Sequence, residues 1–282
     1  MSTEKDIETY LAKAARRDVH AALREHQRAH SVLMFGETHV GWGRKAQVLA
    51  RIIRDARRDG LIHYHASEFF DNDAPADAEA VGKYLKKEIG SSELPSGLRE
   101  LAPILEAARE SLPNFGIVFA GSKRVQGKRR DAELFENFTS SRKLHLKAKR
   151  FAGSDKGHFF LGAAHASRVP PVGTAATTCG RLIKAGFDVY VVRVTIDIKV
   201  EPQSPSDGQM GMEFRPSEGI VAKATTDADW IDMLPPLRTV AAGKPFFAEF
   251  SGAGSPFPRL RADYGRAVFT KCYDALLHLP AS

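Results

Sequence analysis

Short apolar runs alternate with amphipathic stretches along much of the chain. Apolar runs at residues 31–37, 61–68, 115–120, 158–164 and 189–198 have the length and composition of buried strands. Between them, residues 44–59 place Val48, Leu49, Ile52 and Ile53 at helical spacing, and Gly60 ends the pattern. Residues 98–111, 131–149 and 178–185 also have helical spacing; Leu134, Phe135, Phe138 and Leu146 form the apolar side of the longest. An N-terminal helix is expected over 6–27 within an extension covering residues 1–30, with Tyr10, Leu11, Ala14, Val19, Ala22 and Leu23 as its stripe. Residues 201–219, rich in Pro, Ser, Gly and Met, read as a loop or lid, and 273–279 as a strand or a short helix, of which the strand is preferred.

Strands alternating with helices predict a single α/β domain over 1–282, with a mainly parallel central sheet flanked by helices. Ligands of such sheets bind at the carboxyl ends of the strands, so a polar cleft is expected there. Two phrases end apolar runs at that edge, Phe35-Gly36-Glu37-Thr38-His39 and Leu161-Gly162-Ala163-Ala164-His165. Glu37 and His39, two apart, point to one side of an extended backbone. A carboxylate beside an imidazole can orient it, tune its basicity or share a metal with it. Glu68 closes the second run, where an unpaired charge would be costly to bury. Two carboxylates in one site raise one of their pKa values, which suits acid–base chemistry. His63 and His65, of opposite parity to Glu68, read as packed residues.

Charge and composition narrow the partners. The net charge is +7, with basic residues concentrated between Lys123 and Arg150. Aromatic residues do not interleave with them as in single-strand binders, which argues against nucleic acid and for a solvated face attracting an anionic substrate. No apolar run approaches the roughly 20 residues that span a bilayer. The first 17 residues are polar, unlike a signal peptide, and Cys179 and Cys272 match no metal or redox spacing. A reducing, cytoplasmic setting is therefore expected.

Two familiar motifs are excluded. The loop from Gly121 to Arg129 has five residues between its glycines and no Ser or Thr after Lys128, so it is not a nucleotide-hydrolysing phosphate loop. No Gly-x-Ser-x-Gly elbow occurs. Asp131 could serve as a helix-cap acid, but its helix starts on the same sheet edge as the other candidates. Arg168 follows His165 by three residues.

Gly36-Glu37-Thr38-His39, Glu68, Arg130-Asp131 with Asn137, Gly162-Ala163-Ala164-His165 and Tyr273-Asp274-Ala275-Leu276-Leu277 occur in that order. This order resembles the superfamily that joins erythromycin-esterase-like enzymes, ChaN-like haem-binding proteins and Tiki/TraB metalloprotease-like proteins. The Glu37-x-His39 spacing is that of ChaN-like and Tiki-like sequences. The resemblance implies a site lined by Glu37, His39, Glu68, Asp131 and His165, with Arg130 orienting the substrate. The function expected is a hydrolase or acyl-transfer enzyme acting on an ester, lactone or amide of a small molecule or peptide. Glu37, His39, Glu68 and His165 would be catalytic, or would hold a divalent metal, while Arg130, Asp131 and Arg168 would bind substrate. The alternatives are a haem or metal binder using His39 or His165, and a non-hydrolytic tailoring enzyme using the same cleft.

Overall fold

Complete burial explains why the apolar runs show no in–out alternation. In the computed structural model, strand β1 (Val32–Glu37) and strand β4 (Gly157–Gly162) are buried at every position. The structure describes residues 18–37, 42–110, 115–124, 129–147, 155–168, 176–196, 229–232 and 273–279. Strands β2 (Tyr64–Asp71), β3 (Gly116–Gly121), β5 (Val189–Ile196), β6 (Asp229–Asp232) and β7 (Ala275–Leu279) complete a seven-stranded sheet of order β3-β2-β4-β1-β5-β7-β6. Every pairing is parallel except that of β6 with β7. The expected α/β architecture, a mainly parallel sheet between helices, is the one observed.

The helices divide by sheet face. On one face, α2 (Trp42–Arg58), α3 (Pro75–Leu85), the single turn α4 (Ser96–Arg99) and α5 (Ala102–Arg109) share an apolar cluster with Leu33, Phe35, Ile117, Phe160 and Val192. Helix α1 (Val19–Ala29) packs beside α2 and against β1. The opposite face carries α6 (Arg130–Lys147) on β3, the turn α7 (Ala163–Ala166) on β1 and β4, and α8 (Thr178–Lys184) on β5. There Phe138 stacks on Phe159 with ring centroids 4.8 Å apart. Among the described residues, no helix is long and apolar enough to cross a membrane.

Local chemistry moved several boundaries. Asp18 caps α1 by accepting from the Ala21 N–H, so a helix begins at Val19; the earlier part of the helix expected over 6–27 lies outside the described residues. The ladder of β2 begins at Tyr64 and runs to Asp71, three residues beyond the expected Glu68, with a register shift between Ser67 and Asp71. Gly121 permits that shift: a Cβ there would lie 2.0 Å from the Glu68 carbonyl oxygen. His165 was expected to follow directly on a strand, but the strand stops at Gly162 and His165 rides on the turn α7. The lid expected at 201–219 lies outside the described residues.

Gly36 sets the position of α7. A Cβ at Gly36 would lie 2.6 Å from the Ala166 Cβ and 3.1 Å from the Ala163 Cα, so only glycine lets the turn settle on β1. Gly36→Ala should lower stability by about 1–3 kcal/mol through overpacking. Urea unfolding checks this, and an unchanged midpoint would mean that α7 is not seated on Gly36.

Candidate functional site

The carboxyl rim of the sheet receives polar groups from both of its faces. The Cα of Glu37 is in register with that of Gly162 on β4, so the two motif-bearing strands end side by side. Glu68, on β2, accepts a 2.6 Å hydrogen bond from the Gly162 N–H through Oε1. Its other oxygen, Oε2, lies 3.9 Å from His165 Nε2. The opposite ring nitrogen, Nδ1, is 3.0 Å from Asp131 Oδ1. An imidazole held between two carboxylates is the centre of the site.

Asp131 is fixed from a third element. Although it sits in the first turn of α6, its Oδ1 accepts from the Thr178 N–H at 2.6 Å and from the Thr178 hydroxyl at 2.8 Å. Asp131 is therefore tied to α8 and to His165, which goes beyond a local helix-cap role. With its carboxylate accepting, the proton of a neutral His165 resides on Nδ1 and the Nε2 lone pair faces Glu68. Burial pushes the His165 pKa down, but the Asp131 hydrogen bond and the charges of Glu68 and Asp131 outweigh it, while Arg130 opposes them; the net shift is upward. The side chain keeps 24% of its surface open, so the ring is accessible to solvent.

Glu37 is engaged elsewhere. Alternation turns Gly36 toward α7 and Glu37 toward the face of α2. There Glu37 Oε2 lies 2.7 Å from Lys45 Nζ, with both side chains fully buried. Lys45 was not foreseen, although it continues the stripe of Leu49, Ile52 and Ile53 on α2 and so puts a cation at a core position. Buried Arg193 on β5 was also missed; its Nη1 donates to the carbonyls of Gly36 and Val194 at 3.2 and 3.1 Å. A charged residue within the β-branched run was the signal.

The remaining predicted residues have definite places. Arg130 donates to the Ser122 carbonyl, on the loop that follows β3. Arg168 forms a two-nitrogen clasp on Asp274 and also donates to the Val189 carbonyl, which ties the segment after α7 to β5 and β7. Asn137 donates to the Ala120 and Gly121 carbonyls at 3.3 and 3.1 Å, holding α6 to the end of β3. His39 lies outside the described residues. Among the described residues, no three His, Cys, Asp or Glu side chains are grouped to hold a metal ion. Cys179 is buried, which pushes its thiol up to about 12 and keeps it from acting as a thiolate.

Fold and rim together define an α/β protein with an acid–imidazole–acid cluster at the carboxyl ends of its strands. No protein-family model matches the sequence, and no curated protein sequence matches it. Among solved structures, a Bacillus cereus protein is similar over 98% of this chain and 97% of its own, at 12% identity and a TM-score of 0.58. That likeness shows a shared fold. ChaN of Campylobacter jejuni, described with cofacial haem binding, aligns with 66% of this chain and 88% of its own at 14% identity and a TM-score of 0.38. The type III effector HopBA1 aligns with 66% of this chain and 87% of its own at 12% identity and a TM-score of 0.41.

Two measurements test this geometry. Lys45→Met should destabilise the protein by about 3–5 kcal/mol by removing the buried cation that lies 2.7 Å from the Glu37 carboxylate. The double variant Glu37→Gln/Lys45→Met should recover much of that loss in urea unfolding; no recovery would show that the two side chains are not coupled. Asp131→Asn should lower the imidazole pKa of His165, read by NMR titration of the ring nitrogens. The sign for stability follows: because the folded-state pKa is raised, the stabilisation is complete below the ordinary value of about 6.5 and is lost as pH rises through the folded value. A ring titrating identically in the variant would detach Asp131 from His165.

Proposed function

We propose that the chain is a hydrolase or acyl-transfer enzyme acting on an ester, lactone or amide, with His165 as its general base. The observation that carries this reading is the contact of His165 Nδ1 with Asp131 Oδ1 at 3.0 Å, with Asp131 itself held by two donors from Thr178. A base whose tautomer and orientation are fixed by a carboxylate can take a proton from water at its free nitrogen. Hydroxide formed there would attack the acyl carbonyl, and the proton on Nε2 would pass to the leaving oxygen or nitrogen. Glu68, 3.9 Å from Nε2, stabilises the imidazolium formed in between. Arg130 acts on His165 through its charge and would offset negative charge developing on the substrate.

This reading moves the base from His39 to His165 and gives Glu37 a supporting part, because Lys45 already neutralises it. A divalent metal would add a Lewis acid to the same chemistry. Here Glu68 and His165 are the described residues positioned to contact one, and His39 is the further donor on the sequence. Binding of an anionic substrate fits the cations at the rim, Arg130 among them.

The test is hydrolysis of a panel of aryl esters, lactones and aryl amides by the full chain, with metal content measured on the same sample. His165→Ala should abolish turnover while leaving the circular dichroism spectrum unchanged. Asp131→Asn should reduce kcat by about 10²–10⁴-fold, because an amide at that position imposes the wrong tautomer. Turnover should rise with pH to a plateau, with its midpoint above the ordinary histidine value of about 6.5, since the base must be neutral and its pKa is raised. Full activity in His165→Ala, or a wild-type chain inert toward the whole panel, would overturn the proposal.

A further inference from the structure

Two histidines in the middle of the sheet have no part in the rim chemistry. His65 on β2 and His158 on β4 are direct register partners across a parallel pair, in the row that continues to Leu33 on β1 and Ile117 on β3. Both are completely buried. Their ring centroids are 6.5 Å apart with the planes perpendicular, and among the described residues none of their four ring nitrogens has a hydrogen-bond partner. The rings instead touch Phe35, at 5.1 Å from His158, and Phe160, at 6.5 Å from His65. Leaving a buried polar group unpaired costs about 1–3 kcal/mol, so leucine or phenylalanine would serve packing better at either position.

We infer that His65 and His158 form an acid-sensitive latch: the seam between β2 and β4 closes only with both rings neutral, and mild acid favours its opening because the rings take up protons once they are exposed. The seam leads directly to the rim. Strand β2 carries Glu68, β4 ends at Gly162, and the Gly162 N–H is the bond that joins them. Opening it takes apart the contacts around His165.

Among the described residues, the surroundings offer no group to hold a charge on these rings. On the elements packed over this face, the charged groups are already occupied or set apart. Lys45 of α2 is paired with Glu37, Arg54 of α2 with Glu110, and Arg109 of α5 with Glu106. Arg57 of α2 lies over the Phe115 ring, where its charge reaches His63. No carboxylate is in contact with either ring among the described residues, and the charge that acts on His158 is that of His65.

The sign follows from linkage. Burial lowers the folded-state pKa of His65 to about 3; burial, and then the charge of His65, lower that of His158 well below its ordinary value. Unfolded, both rings return to about 6.5. Protons are therefore taken up on unfolding, so this part of the stability is complete above that value and falls as pH drops through it. Two protons change the folding equilibrium about 100-fold per pH unit once pH lies below the unfolded value. His63, also lowered, adds in the same direction, whereas the raised pKa of His165 acts on the alkaline side.

The test is urea unfolding of the full chain between pH 8 and pH 5, for wild type, His65→Leu, His158→Leu and the double variant. Wild type should lose stability steeply between pH 6.5 and pH 5; each single variant should remove about tenfold per pH unit from that dependence, and the double variant about 100-fold. His63 remains in every variant and cancels from the comparison. Should the double variant not fold, ring-nitrogen NMR of wild type decides: both imidazoles should stay neutral until the protein unfolds. A wild-type slope retained in the single variants, or either ring titrating near 6.5 in the folded state, would overturn the latch.

Discussion

The site depends on a backbone contact that tolerates no side chain. The turn α7 lies on β1 so closely that a methyl group on Gly36 would meet the Ala166 Cβ at 2.6 Å. Tyr273 secures the turn from the other side by donating its hydroxyl to the Ala163 carbonyl at 2.9 Å. His165 belongs to that turn, so main-chain packing positions the imidazole that Asp131 and Glu68 reach. This explains why glycine stands in the first rim phrase and glycine with two alanines in the second: small side chains let the turn approach, and the polar groups of the rim follow.

Buried charge is divided between the two faces of the sheet. Under α2, Lys45 and Glu37 neutralise one another at 2.7 Å with both side chains fully buried. Such a pair stabilises little relative to an apolar substitute, yet losing one member is costly, so it fixes a geometry more than it adds stability. Its place is the last residue of β1, next to the glycine that receives α7. Arg193, donating to the Gly36 carbonyl, holds the same strand end from β5. The strand bearing the first rim phrase is thus pinned by charged groups from two neighbours, while the acid–imidazole–acid cluster forms on the opposite face.

Much of this was legible in the sequence, and the omissions have physical reasons. The apolar runs located the five central strands and the closing one, because strands buried on both faces need continuous hydrophobicity. Glu68, Asp131 and His165 were named together, and the fold brings them together. Thr178 was not named, because its role depends on Asp131, 47 residues earlier in the chain. Lys45 was legible only by asking why a lysine continues an apolar stripe. The end of β2 was misplaced because the irregularity that extends it depends on Gly121 of another strand. Strand β6 was missed because four residues with aspartate at each end give no strand-like pattern.

One residue type is used in two opposite ways. His165, between two carboxylates and open to solvent over 24% of its surface, is made easier to protonate. His65 and His158, sealed among phenylalanines with no acceptor in reach, are made harder to protonate. The difference comes from placement alone: carboxylates gather at the strand ends, where solvent and helix starts satisfy them, and cannot enter the middle of the sheet unpaired. In the proposed mechanism the rim base must be neutral to accept a proton from water, and in the proposed latch neutral imidazoles hold the seam beneath it. On the two proposals acid acts in sequence: the rim base, its pKa raised, is charged first, and the seam loses stability only once pH falls below the ordinary histidine value of about 6.5.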